Sequence, residues 1–153
     1  MTDRVEWIPE DVWADVVRYA PVPSVDLVVR CPGGVLLARR QNDPAKGEWF
    51  VPGGRIQKGE RLTEAVGRVA REELGVDVFI EAELGAYDHL YSTADTPTAG
   101  GKHYLAHGFV VRPETTEFEL DNQHDDARVF SLDGLPDLHE YVSAYLKDAD
   151  LIE

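Results

Sequence analysis

Residues 53–76 read Gly53-Gly54-Arg55-Ile56-Gln57-Lys58-Gly59-Glu60, seven residues on to Arg68, then Val69-Ala70-Arg71-Glu72-Glu73-Leu74-Gly75-Val76. Within this segment Leu62, Ala65, Val66, Val69 and Leu74 recur near helical spacing, which predicts a helix from Arg61 to Leu74 stopped by Gly75. Glu64, Arg68 and Glu72 follow at i, i+4 and i+8, so Arg68 is expected to bridge both carboxylates at about 0.2–0.5 kcal/mol each. Glu72 and Glu73 fall in the last turn, where the helix dipole disfavours each carboxylate by about 0.3–1 kcal/mol. Two acids set against the dipole, beside a Gly-Gly turn, call for a compensating cation. Hard oxygen donors suit Mg²⁺ or Mn²⁺. By residue pattern alone, a solvated helix face is the competing account.

Outward from this segment the period changes several times. Pro9-Glu10-Asp11 followed by Val12, Trp13, Val16 and Val17 predicts a helix that ends before Pro21. Val25–Val29 and Val35–Ala38 form an expected hairpin about Cys31-Pro32-Gly33-Gly34, then comes a polar loop over 41–48 and a short strand at Trp49-Phe50-Val51. Val76 to Tyr91 is expected to be extended and broken near Gly85. Tyr104–Val111 and Arg128–Leu132 complete the strands, and Leu138–Lys147 is a terminal amphipathic helix. Ser92–Lys102 is a Ser/Thr/Gly/Pro loop of the kind that carries function. The order implies one α/β domain over residues 1–153 with a mixed β-sheet between helices.

Composition narrows the partners. The chain has 153 residues, 43% of them hydrophobic, and a formal net charge of -14. Such a surface repels a nucleic-acid backbone, whose non-specific binding depends on cationic contacts. A small phosphate ligand remains possible where local cations reverse the sign. The basic residues are 11 Arg and 4 Lys, weighted toward bidentate donors for carboxylate and phosphate. Adaptation to high intracellular salt and an ordinary acidic surface both account for the excess acid. A single cysteine, Cys31, excludes an internal disulfide, reads as a small buried hydrophobe and points to a reduced, cytoplasmic setting. No apolar run reaches the roughly 20 residues of a membrane span, and residues 1–6 do not read as a signal peptide, so neither membrane nor secretion is expected.

The spacing Gly54-x5-Glu60-x7-Arg68-x3-Glu72-Glu73-x-Gly75-Val76 closely resembles the Nudix box, with seven fixed positions over 23 residues. The resemblance implies a Nudix-type α/β/α sandwich, in which this loop, helix and loop binds divalent metal beside a diphosphate. One position departs from the box: the glutamate that follows the arginine in the family is Val69 here, and Ala70 fills the aliphatic position. A missing carboxylate weakens a multi-metal cluster and with it the case for attack at phosphorus.

In that departure, and outside the box, the chain is similar to the GDP-mannose mannosyl hydrolases of the family. The shared residues include Val16-Val17-Arg18, Ser24-Val25-Asp26, Arg40 with Asn42 and Pro44, Trp49 to Arg55, His103-Tyr104 and Gln123-His124-Asp125-Asp126. The resemblance implies hydrolysis at the anomeric carbon with inversion, releasing GDP and mannose with one Mg²⁺. It assigns the metal to the Gly53 carbonyl, Glu73 and Gln123, with Glu72 as a further candidate. His124 becomes the general base, oriented by Asp125 and Asp126. Arg40 and Arg55 grip the diphosphate, and Tyr104 donates to the departing group. Asp26 binds the substrate, with a structural ion pair as the alternative. Trp13 stacks on the base across a homodimer formed through the N-terminal segment, with plain helix packing as the alternative. Two other functions stay open: a pyrophosphohydrolase attacking phosphorus of an NDP-sugar, ADP-ribose or a nucleoside triphosphate, and a non-catalytic nucleotide-sugar sensor.

Overall fold

A proline-led first turn carrying Glu10 and Asp11 opens helix α1, Glu10–Tyr19, and its acids lie where the helix dipole favours them. The computed structural model describes residues 7–41, 45–94, 100–115 and 127–153. After α1 come β1 (Val22–Cys31), β2 (Gly34–Arg39), β3 (Trp49–Phe50), β4 (Gly53–Arg55) and α2 (Leu62–Leu74). The chain continues through β5 (Val78–Tyr91), β6 (Lys102–Pro113) and β7 (Ala127–Phe130) to α3 (Glu140–Asp148). Each expected element is present within a few residues of its expected ends. In addition, Gly53–Arg55, expected as a Gly-Gly turn, is a strand.

The sheet is mixed. Its order is β3-β2-β1-β6-β5, with β4 added to β1 and β7 to β2. β1 runs parallel to β6 from Val22↔Tyr104 to Val29↔Val111, and the remaining pairs are antiparallel. Alternation along the strands sends two apolar sets to opposite faces. On one, Val25, Leu27, Val29, Leu36, Phe109 and Val111 pack against Ala65, Val66, Val69, Ala70 and Leu74 of α2. On the other, Val28, Val35, Leu37 and Val110 meet Val142, Tyr145 and Leu146 of α3. The result is an α/β/α arrangement around β1, whose apolar run Leu27–Val29 is buried on both faces.

One edge of β1 is shared, and this division positions the site. β2 pairs with β1 only over Val29–Cys31, whereas β4 pairs over Ser24–Asp26. Between them the Leu27 amide donates to the Pro52 carbonyl at 2.8 Å. The hairpin therefore splays where Asp26 stands, on the face toward α3. Gly75 ends α2 in the left-handed region at φ 71°, a conformation that glycine adopts without side-chain strain. Among the described residues no helix is long and apolar enough to cross a membrane.

Candidate active site

Where β1, β2 and β4 diverge, a cleft of about 80 Å³ opens against β5 and β6. Its floor is Asp26 of β1. Arg40 from the end of β2, Arg55 of β4, His89 and Tyr91 of β5, and Tyr104 of β6 complete the walls. A larger cavity of about 530 Å³ lies beside it, bounded by Trp7, Ile8, Pro9, Glu10, Trp13 and Arg55. Arg55 belongs to both. The polar groups that can do chemistry converge on the smaller space, and the larger one is suited to an aromatic ring.

Asp26 is buried. The Tyr145 hydroxyl donates to its Oδ2 at 2.7 Å, and His89 Nδ1 stands 3.7 Å from the same oxygen. Burial pushes the carboxyl up to about 6, and the Tyr145 hydrogen bond and the Arg40 charge only partly oppose this. The same environment acts in the opposite sense on His89: burial, reinforced by the charge of His139 and opposed by Asp88, lowers it to about 4. His89 is therefore neutral at pH 7. Its Nε2 is buried and has no hydrogen-bond partner among the described residues. The imidazole lies flat on Tyr141, with centroids 4.2 Å apart and planes 6° apart, and the Tyr141 hydroxyl is pinned to the Leu90 backbone at 2.9 Å. Burial next to Asp26 also raises the Tyr145 and Tyr91 phenols, so both remain protonated donors.

The two arginines are held in different ways. Arg40 sits at the neck of the 41–48 loop, where its amide donates to Glu48 O at 2.9 Å and its carbonyl accepts from the Gly47 amide at 2.9 Å. Its guanidinium carbon stands 5.7 Å from the Phe50 ring centroid. Arg55 reaches 5.6 Å from the Trp13 centroid, and its backbone carbonyl accepts from Arg68 Nη2 at 2.7 Å.

Arg68 corrects one sequence expectation. It pairs with Glu60 at 2.7 and 3.0 Å and with Glu72 at 3.0 Å, not with Glu64. Glu64 lies in the first turn of α2, and its Oε1 instead accepts from the Arg61 amide at 2.9 Å, which leaves its carboxylate committed to the helix start. Burial alone raises Glu60, but hydrogen bonds from Arg68 and the Gln57 amide and the charges of Arg68 and Arg55 outweigh it, holding the carboxyl below its ordinary value. Arg68 thus ties α2, the preceding loop and β4 together.

Of the expected metal ligands, Gly53 lies in β4 opposite Asp26, and Glu72 and Glu73 lie exposed at the end of α2. Gln123, His124, Asp125 and Asp126, like Asn42 and Pro44, fall outside the described residues. Among the described residues no three His, Cys, Asp or Glu side chains form a metal cluster. The expected donors are nevertheless all hard oxygens, a set that fits Mg²⁺ or Mn²⁺. A Cβ at Gly53 would collide with Asp26 Oδ1 and the Val25 carbonyl, so this close approach of β4 to β1 requires glycine. At the departure from the box, Val69 is 1% exposed. Its Cγ2 stands 3.0 Å from where a Gly54 Cβ would be, so a methyl group occupies the space beneath β4.

Residues 20–148 match the NUDIX domain. The chain is a NUDIX hydrolase. It is 50% identical over 143 residues to the low-salt glycan biosynthesis protein Agl8 of Haloferax volcanii, covering 94% of this chain and 91% of that one. It is 31% identical to an ADP-ribose pyrophosphatase of Methanocaldococcus jannaschii over 77% of this chain and 66% of the other. Among solved structures, the MutT NUDIX hydrolase of Burkholderia pseudomallei superposes with a TM-score of 0.64 at 26% identity, over 84% of this NUDIX hydrolase and 97% of that chain. A NUDIX hydrolase of Nitrosomonas europaea gives the same fold with a TM-score of 0.64 at 22% identity, over 83% and 68%. NUDIX hydrolases act on nucleotide derivatives with the help of a divalent metal ion.

His89 and Tyr91 are cleft residues that sequence reasoning did not single out, as is Tyr145 of α3, which is fully buried and holds Asp26. The only signal for His89 and Tyr91 is an unusual density of His and Tyr in β5, where Tyr87, His89 and Tyr91 alternate onto one face.

Proposed function

We propose that this NUDIX hydrolase cleaves a GDP-sugar, GDP-mannose to GDP and mannose, by attack of water on the anomeric carbon with inversion. The observation that carries this assignment is Val69. It replaces a box carboxylate and is packed beneath β4 against Gly54, so the helix offers fewer charges for several metal ions and for activating water toward phosphorus. The name of the Haloferax relative, a glycan biosynthesis protein, agrees with a nucleotide sugar as substrate.

The groups fall in a usable order. Arg40 and Arg55 face the diphosphate as bidentate donors. Beyond them the carboxylate of Asp26 and the Nε2 of His89, which has no partner among the described residues, suit the hydroxyls of a sugar. On the other side of Arg55, the cavity at Trp13 suits the base. Gly53, Glu73 and Gln123, with Glu72 as a further candidate, would hold Mg²⁺, which would neutralise charge on the diphosphate. His124, oriented by Asp125 and Asp126, takes a proton from the attacking water. As the water oxygen bonds to the anomeric carbon, the bond from that carbon to the diphosphate oxygen breaks and its electron pair leaves with GDP. Arg40, Arg55 and the Tyr104 hydroxyl stabilise the charge on that oxygen. The assignment includes a homodimer through residues 1–20, whose described part exposes Trp7, Val12 and Tyr19.

Retention of both Glu72 and Glu73, and the likeness to an ADP-ribose pyrophosphatase, favour a second mode, attack at phosphorus. A panel of NDP-sugars, ADP-ribose and nucleoside triphosphates with Mg²⁺ separates the two by product. Free sugar and a nucleoside diphosphate support the proposal; a sugar phosphate and a nucleoside monophosphate overturn it. Replacing His124 with Gln is expected to abolish turnover and keep GDP affinity. Undiminished turnover would remove His124 from the mechanism.

A further inference from the structure

We propose that Lys102 is a positioning residue for the leaving group, holding the Tyr104 phenol and the Trp13 indole where they meet the departing nucleoside diphosphate. The chain has four lysines, and Lys102, the first residue of β6, is only 5% exposed. Among the described residues it is the sole buried lysine or arginine. An ammonium is strongly hydrated, so burial is costly unless protein groups replace its water. Two aromatic rings do part of this. The Nζ atom stands 4.7 Å from the Tyr104 centroid and 5.0 Å from the Trp13 centroid, both within range of the negative ring face.

The placement couples three elements to one chemical task. Lys102 and Tyr104 are two apart on β6, so their side chains leave the same face of the sheet, the face that forms the cleft. Trp13 comes from α1 and also carries Arg55, whose guanidinium carbon is 5.6 Å from the same indole. Two cations thus share one ring. Their mutual repulsion is relieved when the anionic diphosphate reaches Arg55, so binding of that group tightens the Lys102–Trp13–Arg55 stack. Tyr104, held by the same ammonium, then keeps its hydroxyl in the cleft. The proposal rests on the nucleotide-sugar assignment only for the identity of the leaving group.

The test is a double-mutant cycle with GDP-mannose as substrate. Lys102→Met is expected to lower kcat about ten-fold with KM within about two-fold of wild type, because orientation toward the leaving oxygen is what is lost. In a Tyr104→Phe background the same change is expected to cost less than about two-fold, and Lys102→Arg to stay within about three-fold of wild type. An equal effect of Lys102→Met in both backgrounds, or no effect in wild type, overturns the proposal. A second arm needs neither turnover nor the methionine variant to fold. In protein labelled with ¹³Cε-lysine, the Lys102 signal is the one missing from Lys102→Arg, and it is expected to move when GDP and Mg²⁺ are added. A signal that stays in place at saturation overturns the positioning role. Failure of the nucleotide-sugar assignment shows separately, as absence of GDP-mannose turnover while that signal still moves.

Discussion

Replacing Arg68 with Met removes a guanidinium that joins three parts of the site, and the cost can be worked from its contacts. Arg68 donates to Glu60 at 2.7 and 3.0 Å, to Glu72 at 3.0 Å and to the Arg55 carbonyl at 2.7 Å. Losing one partner of a fully buried pair costs about 3–5 kcal/mol, and an exposed pair is worth about 0–1 kcal/mol. The Arg68 and Glu60 side chains are 20% and 10% exposed, nearer the buried limit. Glu72 is 58% exposed and adds little. With the carbonyl bond included, the expected loss is about 2–3 kcal/mol. For a chain of this size that lowers Tm by about 4–12 °C. The sign with pH follows from Glu60, whose carboxyl is held below its ordinary 4.5. Its stabilisation is present above that value and lost as pH falls through the folded one, so wild type and variant converge on acidification. The assay is urea unfolding at pH 7 and at lower pH, with Glu60→Gln/Arg68→Met as the control. Because the double variant leaves no uncompensated carboxylate away from solvent, Glu72 being exposed, it should recover more than about 1 kcal/mol of the loss. A loss below about 0.5 kcal/mol, or no recovery, would show that the pair is an ordinary surface bridge.

Three other perturbations follow from the cleft. Gly53→Ala places a methyl on Asp26 Oδ1 and the Val25 carbonyl, so β4 must move; kcat is expected to fall at least about 100-fold with the fold retained by circular dichroism, and unchanged kcat would count against Gly53 as a ligand. His89 is lowered from 6.5 to about 4, so the unfolded chain takes up its proton first and stability falls as pH drops from about 6.5 to 4; His89→Phe should flatten that limb in melts across the range, and an unchanged slope refutes the buried neutral imidazole. Tyr145→Phe removes the 2.7 Å bond to Asp26, with an expected cost of about 1–3 kcal/mol. It should also raise the Asp26 titration above its present value of about 6, followed by ¹³C NMR of the carboxyl; a downward shift would contradict the assigned donor.

What was legible in the sequence was mostly local. The spacing of Leu62, Ala65, Val66, Val69 and Leu74 is enough to place α2 and its buried face, because helical period and burial agree there. The apolar run of β1 likewise marks a strand covered on both sides. The Arg68–Glu64 expectation failed because a nearer partner, the Arg61 amide, competes for Glu64, while the loop before α2 brings Glu60 back over eight residues. The other unread parts depend on distance along the chain. Tyr145 meets Asp26 across 119 residues, and no local pattern encodes that contact. β5 shifts register between Ile80 and Ala82 and again between Glu83 and Gly85, so alternation counted from its start does not tell which face His89 takes. Gly85 marked the break without fixing its consequence. Arg40, Arg55, Asp26 and Tyr104, singled out through resemblance, do converge on one cleft, whereas Trp13 lies in the adjoining cavity.

Hydrolysis of GDP-mannose in ¹⁸O-water puts the central claim to the most direct test. Attack at the anomeric carbon, with Val69 in place of a box carboxylate, predicts one ¹⁸O in mannose and none in GDP. Label in a phosphate product would contradict the account and assign this chain to attack at phosphorus.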